Sequence, residues 1–413
     1  MLNTSNKFQI TVIISALLFG VLSCMPFIAM VSPRALALAP AITALFLFAI
    51  YKWKDGSKVT LSKSYCISAG AIILLSFLSS FWAIDTEYAQ ERVLKISLIF
   101  LGGGLLLPIF SMDEITRSRF FRGAFPVMMV LAGAYCVFEI FTDAYIYKYL
   151  REGQDMRVNM SFLNRGTIAF VFFLLPTFVL LKHAAIATRL KKLIVIALIL
   201  ATALIFVLTQ SQSAQMAIII LLIFAFIFPA NRRAAYVLLG AGICAGILIM
   251  PLLVQYLYAS FAVDLSAMPW MSDGYAASRL EIWDFVARKA LENPLYGHGI
   301  EATRLVEKFE SPLWFTPYAH ILHPHNFVLQ VWIEFGLIGA IGLSALLMLL
   351  LQKIYKMPKE VRRYAVAVFM SVCAVGCTAY GLWQGYWLGL ILFVLCLIVY
   401  MAKLTENAGN TKL

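Results

Sequence analysis

Leu193-Ile194-Val195-Ile196-Ala197-Leu198-Ile199-Leu200-Ala201-Thr202-Ala203-Leu204-Ile205-Phe206-Val207-Leu208 runs without a charge, turns through Thr209-Gln210-Ser211-Gln212-Ser213, and becomes largely apolar again from Ala214 to Phe228. A membrane span needs ~20 mostly apolar residues, so this stretch reads as two membrane helices joined by a short polar turn. The same pattern repeats along the chain of 413 residues, which is 62% hydrophobic and only 13% charged. A soluble core of that length could not bury so much apolar material. Hydropathy predicts helices near 9–31, 35–51, 66–83, 94–110, 123–142, 166–181, 193–209, 213–229, 234–258, 326–351, 364–381 and 385–402. The expected fold is therefore all-α, a polytopic membrane protein with about twelve transmembrane helices. Its expected parts are a bundle of about nine helices in 1–258, a large loop in 259–325, and about three further helices with a tail in 326–413.

Charge gives an independent orientation, because Lys and Arg accumulate in cytoplasmic loops. With the N-terminus inside, the inside connections are 52–65, 111–122, 182–192, 231–233 and 352–363, and about two-thirds of the 33 basic residues then lie inside. Both termini are expected in the cytoplasm and the long loop outside. The net charge of +12 is then an orientation signal facing anionic lipid heads and implies no nucleic acid. Val21-Leu22-Ser23-Cys24 resembles a lipoprotein cleavage box, but the apolar run continues past Cys24, so an uncleaved first span is expected. The seven cysteines all fall inside predicted spans, so the sequence indicates no disulfide framework.

Two outer connections are too long to be simple connectors: 143–165, with Arg151, Arg157 and Arg165, and 259–325. Within the longer one, Leu280, Trp283, Val286, Ala287 and Leu291 fall on one stripe, which predicts an amphipathic helix over 278–291. Ser278, with Glu281 three positions on, has the form of a capping box. Asn293-Pro294 stops that helix, and Leu295-Tyr296-Gly297-His298-Gly299 follows as a turn. Gly297-x-Gly299 is not a nucleotide fingerprint, since no strand precedes it.

The loop ends at His323-Pro324-His325-Asn326, against an apolar run that continues to Glu334-Phe335-Gly336-Leu337-Ile338-Gly339. An imidazole and an amide at the mouth of a membrane helix suggest the edge of a site that handles something polar. Gln330 and Glu334 follow Asn326 at i+4 and i+8 on one helix face, where they either support His325 or line a helix contact. His298, His320, His323 and His325 could instead ligate zinc, but their spacing fits no common zinc signature, so no metal is expected. Trp270, Trp314, Phe315, Tyr318 and Trp332 crowd the same region, either as an interfacial belt or as faces on which sugars stack.

Arg279 opening an amphipathic helix, then Pro294-Leu295-Tyr296-Gly297-His298-Gly299, then His325-Asn326-x-x-Leu329 continuing to Glu334-x-Gly336-Leu337-Ile338-Gly339, resembles the O-antigen ligase and polymerase superfamily. The motif-bearing part covers about residues 160–340. The resemblance implies a glycosyltransferase of the bacterial inner membrane working at its periplasmic face without cofactor, metal or ATP. The implied donor is a glycan on undecaprenyl diphosphate. The implied acceptor is lipid A-core in a ligase, the favoured reading, or another carrier-linked glycan in a polymerase. It assigns His325 as general base, a role that suits an imidazole titrating near the working pH. Arg279 takes the diphosphate, which a guanidinium fork binds well.

The family commonly carries a second arginine in the outer turn at 209–215, where this chain has Gln212. Glutamine donates a hydrogen bond but brings no charge, so Arg165, with Arg157 behind it, is the candidate to complete the diphosphate site. A polysaccharide or lipid transporter is the alternative of another class. It would use Glu139 and Glu334 as intramembrane ion sites and would line a path through the membrane midplane.

Overall fold

The computed structural model describes residues 16–55, 60–112, 119–150, 160–266, 268, 276–306 and 322–410. Among the described residues the regular structure is entirely helical. The principal helices are α1 (Ala39–Asp55), α2 (Lys63–Ser79), α3 (Thr86–Ser111), α4 (Arg119–Phe141), α5 (Asn164–Lys182), α6 (Thr188–Leu208), α7 (Gln212–Phe226), α8 (Arg233–Ser266), α9 (Ala276–Glu292), α10 (Phe327–Lys356), α11 (Lys359–Gly376) and α12 (Gly385–Asn410). Eight helical stretches among the described residues are long and apolar enough to cross a membrane, and α2 and α7 are shorter apolar helices. This is an all-α polytopic membrane protein.

α5 is the central post. In its most apolar stretch 83% of residues are buried, against 22% in α6 and in α8, which present their side chains outward. Outward apolar faces are what a bilayer solvates. α5 packs against α4, α7, α11 and α12, while α8 carries α9 and α10. Gly166 in the first turn of α5 lets it close on the backbone of Met30, where an added Cβ would sit 2.8 Å from that residue's Cα.

Helix direction separates two ends. α5, α7, α10 and α12 begin at one end, where Ser213 Oγ meets Thr378 Oγ1 at 3.3 Å and the Arg165 guanidinium lies 4.4 Å from the Tyr386 ring centre. At the other end Lys182 pairs with Glu360 at 2.7 Å and Arg122 donates to the His183 carbonyl at 2.9 Å.

One helix is broken where it matters. Gly336 in α10 has φ 58° and ψ −148°, a conformation essentially confined to glycine. The break exposes main-chain groups that must find partners at membrane depth. The segment after α9 supplies them: His298 and Gly299 N–H donate to Ile333 and Glu334 carbonyls at 2.8 and 2.9 Å, and Leu337 and Ile338 N–H donate to Pro294 and Leu295 carbonyls at 2.8 and 3.2 Å. Two motifs distant in sequence thus interlock backbone to backbone.

Three local expectations change. α9 begins at Ala276, so Ser278 lies in its first turn and is not the cap. Trp332 is only 6% exposed and donates to the Ile247 carbonyl of α8 at 2.7 Å, so it belongs neither to an interfacial belt nor to a sugar-stacking surface. Glu139 is fully buried and accepts from Ile146 and Tyr147 N–H at 2.9 and 3.1 Å, which uses both carboxylate oxygens in starting the short helix Tyr145–Leu150.

Candidate active site

His325 sits at the N-terminal mouth of α10 with φ 53°, one of the few non-glycine residues with positive φ among those described. Asn326 explains why the chain straightens immediately afterwards. Its Oδ1 accepts from Val328 and Leu329 N–H at 3.0 and 3.2 Å and so caps the helix. α9 fixes the approach from the other side, because Trp283 Nε1–H donates to the Pro324 carbonyl at 2.7 Å.

The His325 ring is held by a main-chain oxygen. Its Nδ1 lies 2.6 Å from the Ala379 carbonyl in the turn between α11 and α12. A carbonyl only accepts, so Nδ1 carries the proton and Nε2 keeps its lone pair in the neutral ring. Burial lowers the His325 pKa, the Ala379 bond partly offsets this, and the Arg279 charge lowers it further. Arg279 therefore stands within electrostatic reach of the imidazole.

His323 stacks obliquely beside it, ring centres 4.3 Å apart, and takes a contact from Gln384 Nε2 at 3.4 Å. Burial first, then His325, Arg304 and Arg165, push its pKa down to about 3. Arg165, in the first turn of α5, thus shares the environment of the two histidines. Gln212 begins α7 as an exposed residue behind the Ser211 cap, on the turn that the Ser213–Thr378 contact joins to the turn bearing Ala379. Arg157 lies outside the described residues, as do His320, Trp270, Trp314, Phe315 and Tyr318.

Gln330 and Glu334 brace that same turn. Gln330 Oε1 accepts from Leu382 N–H at 2.7 Å and its Nε2 donates to Glu334 at 2.9 Å. The other Glu334 oxygen accepts from Trp383 Nε1–H at 2.5 Å. Both residues are buried, so this bracket fixes the α11–α12 turn against α10 and with it the carbonyl that orients His325.

Sequence reasoning missed Arg92, Glu301 and Arg304. Arg92 Nε lies 2.6 Å from Glu301 Oε1, Arg304 Nε lies 3.7 Å from Oε2, and both guanidinium groups border the Tyr88 ring. Burial raises the Glu301 pKa, opposed by the Arg92, Arg304 and Lys95 charges. The available signal was an arginine in the gap between the helices expected near 66–83 and 94–110. In the structure that stretch opens α3 as a helix from Thr86.

Among the described residues no three His, Cys, Asp or Glu side chains come together as a metal cage. His298 is held between the Lys289 carbonyl and the Asn293 amide, at 2.8 and 3.2 Å. The arrangement offers one imidazole lone pair, a neutral second imidazole and several arginines. That set suits proton acceptance from a hydroxyl beside a bound anion.

A family model described as O-antigen ligase matches residues 196–344, which contain Gln212, Arg279, His325, Asn326, Gln330 and Glu334. Three proteins carried under the provisional name polysaccharide ligase are similar to parts of the chain. The one from Rickettsia conorii is 29% identical over 174 residues, 40% of this chain and 41% of that protein. The one from Rickettsia bellii is 32% identical over 143 residues, 31% and 33% of the two chains. The one from Rickettsia typhi is 26% identical over 184 residues, 42% and 43%. The matched region spans less than half the length of each relative. No solved structure matches the chain.

Proposed function

We propose, from the match of residues 196–344 to the O-antigen ligase family model, that this chain is a glycosyltransferase of the ligase type acting on a lipid-carried glycan. In this reading the donor is a glycan on undecaprenyl diphosphate and the acceptor is a sugar hydroxyl, most simply of lipid A-core. The site faces the periplasm from the bacterial inner membrane, with both termini in the cytoplasm and residues 259–325 as the outer loop.

The observation that carries this reading is the 2.6 Å contact between His325 Nδ1 and the Ala379 carbonyl. With Nδ1–H given to Ala379, Nε2 is left as the acceptor of the neutral ring at the mouth of α10. The acceptor hydroxyl loses its proton to Nε2 as its oxygen attacks the anomeric carbon of the donor sugar. The carbon–oxygen bond to phosphate breaks, and the electron pair leaves with the lipid diphosphate. Negative charge gathers on that leaving group, where Arg279, Arg165 and Arg157 would stabilise it. Gln212 would add a hydrogen bond but no charge. The bond energy of the carrier-linked sugar drives transfer, so neither ATP nor a metal is required in this scheme.

Deleting the gene and resolving surface glycans by gel electrophoresis tests the reading. Full-length glycan left on carrier lipid, with bare core, is expected for a ligase. Single repeats attached to core would instead mark a polymerase, and an unchanged glycan pattern would refute both.

A further inference from the structure

At the end of the bundle opposite His325, a cavity of about 370 Å³ opens between α5, α11 and α12 and the connection from α7 to α8. Lys182, Lys359, Arg363 and Glu360 line it together with Phe178 and Val179. Three cations face one carboxylate, and Lys182 already pairs with that carboxylate at 2.7 Å. Among the described residues no ion pair engages Lys359 or Arg363. His183 also lines the cavity. Burial first, then Lys182 and Arg122, lower the pKa of His183; Glu360 opposes them and Lys191 adds to the lowering.

Position says what kind of anion would fit. α5 has 19 residues and joins the two ends of the bundle, so the cavity, lined at the end of α5 by Phe178, Val179, Lys182 and His183, lies roughly 20–27 Å along the helix from Arg165. That approaches the thickness of a bilayer's hydrocarbon core, so a bundle whose His325 end meets one membrane boundary holds this cavity at the other. Its lining combines the apolar Phe178 and Val179 with the cationic Lys182, Lys359 and Arg363. A basic pocket between helix ends at that depth matches a lipid headgroup. Its volume is in the range of small-molecule sites.

We propose that this cavity binds the phosphate headgroup of an anionic membrane lipid through Lys359 and Arg363. The site is independent of the transfer chemistry at the opposite end, so its test does not depend on activity. The full chain is reconstituted into vesicles of phosphatidylcholine alone, or of phosphatidylcholine with phosphatidylglycerol, and thermal unfolding is compared. The double variant Lys359→Gln/Arg363→Gln is set against a control of equal charge loss, Arg233→Gln/Lys353→Gln, and lipid adducts are followed by native mass spectrometry.

Phosphatidylglycerol should raise the wild-type and control melting temperatures, and the cavity variant should lose at least about tenfold in lipid affinity. Equal lipid effects in both variants would reduce the cavity to diffuse surface charge and overturn the proposal. So would equal protection by inorganic phosphate in phosphatidylcholine vesicles, which would mark a soluble-anion site. Wild-type protein that retains no phosphatidylglycerol in native mass spectrometry would overturn it whether or not the variants fold.

Discussion

His325 and Ala379 stand 54 positions apart in sequence and are joined by a 2.6 Å hydrogen bond from the imidazole Nδ1–H to the main-chain carbonyl. The bond selects the tautomer and aims Nε2. It depends on the α11–α12 turn staying against α10, and that turn is held by Gln330 and Glu334, whose hydrogen bonds go to Leu382 and Trp383.

Gln330→Leu tests the brace. The substitution strands Leu382 N–H and removes one donor to Glu334. Leaving buried polar groups unpaired costs about 1–3 kcal/mol. A lower melting temperature and reduced transfer are expected together. Wild-type values for both would show that the bracket does not hold the turn.

Gly336→Ala tests the interlocked break in α10. An added Cβ would lie 2.6 Å from the Leu295 carbonyl carbon and 2.7 Å from the Pro294 oxygen, at a φ of 58°. The backbone strain alone is on the order of 1–3 kcal/mol. Gly342→Ala in the same helix meets nothing within 4 Å and should be neutral or stabilising. Thermal unfolding of the two variants in one lipid should separate them clearly, and similar melting temperatures would remove the strained break as a structural requirement.

The pH profile follows from two histidines whose folded pKa values are lowered. Such groups stay neutral in the folded state while the unfolded chain protonates below about 6.5. Their stabilisation is fully present above pH 6.5 and is lost as pH falls, for His323 across the window from 6.5 down to about 3. Transfer should likewise hold through neutral pH and decline only below the ordinary histidine range, as His325 protonates. A rate profile with its acid midpoint at or above 6.5 would contradict a lowered His325 pKa.

Arg279 and Arg288 share α9 but differ in surroundings. Arg288 bonds Asp284 at 2.9 Å with 65% of its side chain exposed, whereas Arg279 acts on His325. Arg288→Ala leaves the buried Asp284 without its cation and should lower stability while sparing specific activity per folded molecule. Arg279→Ala should cost about a hundredfold or more in transfer. Equal loss in both, normalised to folded protein, would mean that α9 matters for folding alone.

Much of this architecture is legible in the sequence because its signals are strong and local. Uncharged runs such as 193–208 read directly as membrane helices, and the stripe of Leu280, Trp283 and Val286 reads as an amphipathic one. The histidine at the mouth of α10 was legible because a polar residue is costly there. What the sequence conceals is the partner. Ala379 contributes only a carbonyl, which any residue possesses, so nothing in its side chain marks the turn as part of the site. Gly336 hides for a similar reason, since an isolated glycine is tolerated in a helix and its break is revealed only by the bonds that Pro294 and Leu295 make to it. Arg92 and Glu301 are far apart in sequence, and their ion pair emerges only when α3 packs beside the loop after α9.

The most direct measurement is glycan transfer by purified His325→Ala protein, reconstituted beside wild type at matched insertion and melting temperature, with an undecaprenyl-diphosphate-linked donor. If Nε2 accepts the acceptor's proton, transfer should fall by about 10²–10⁴-fold while donor binding persists. Transfer within a few-fold of wild type would exclude His325 as the base.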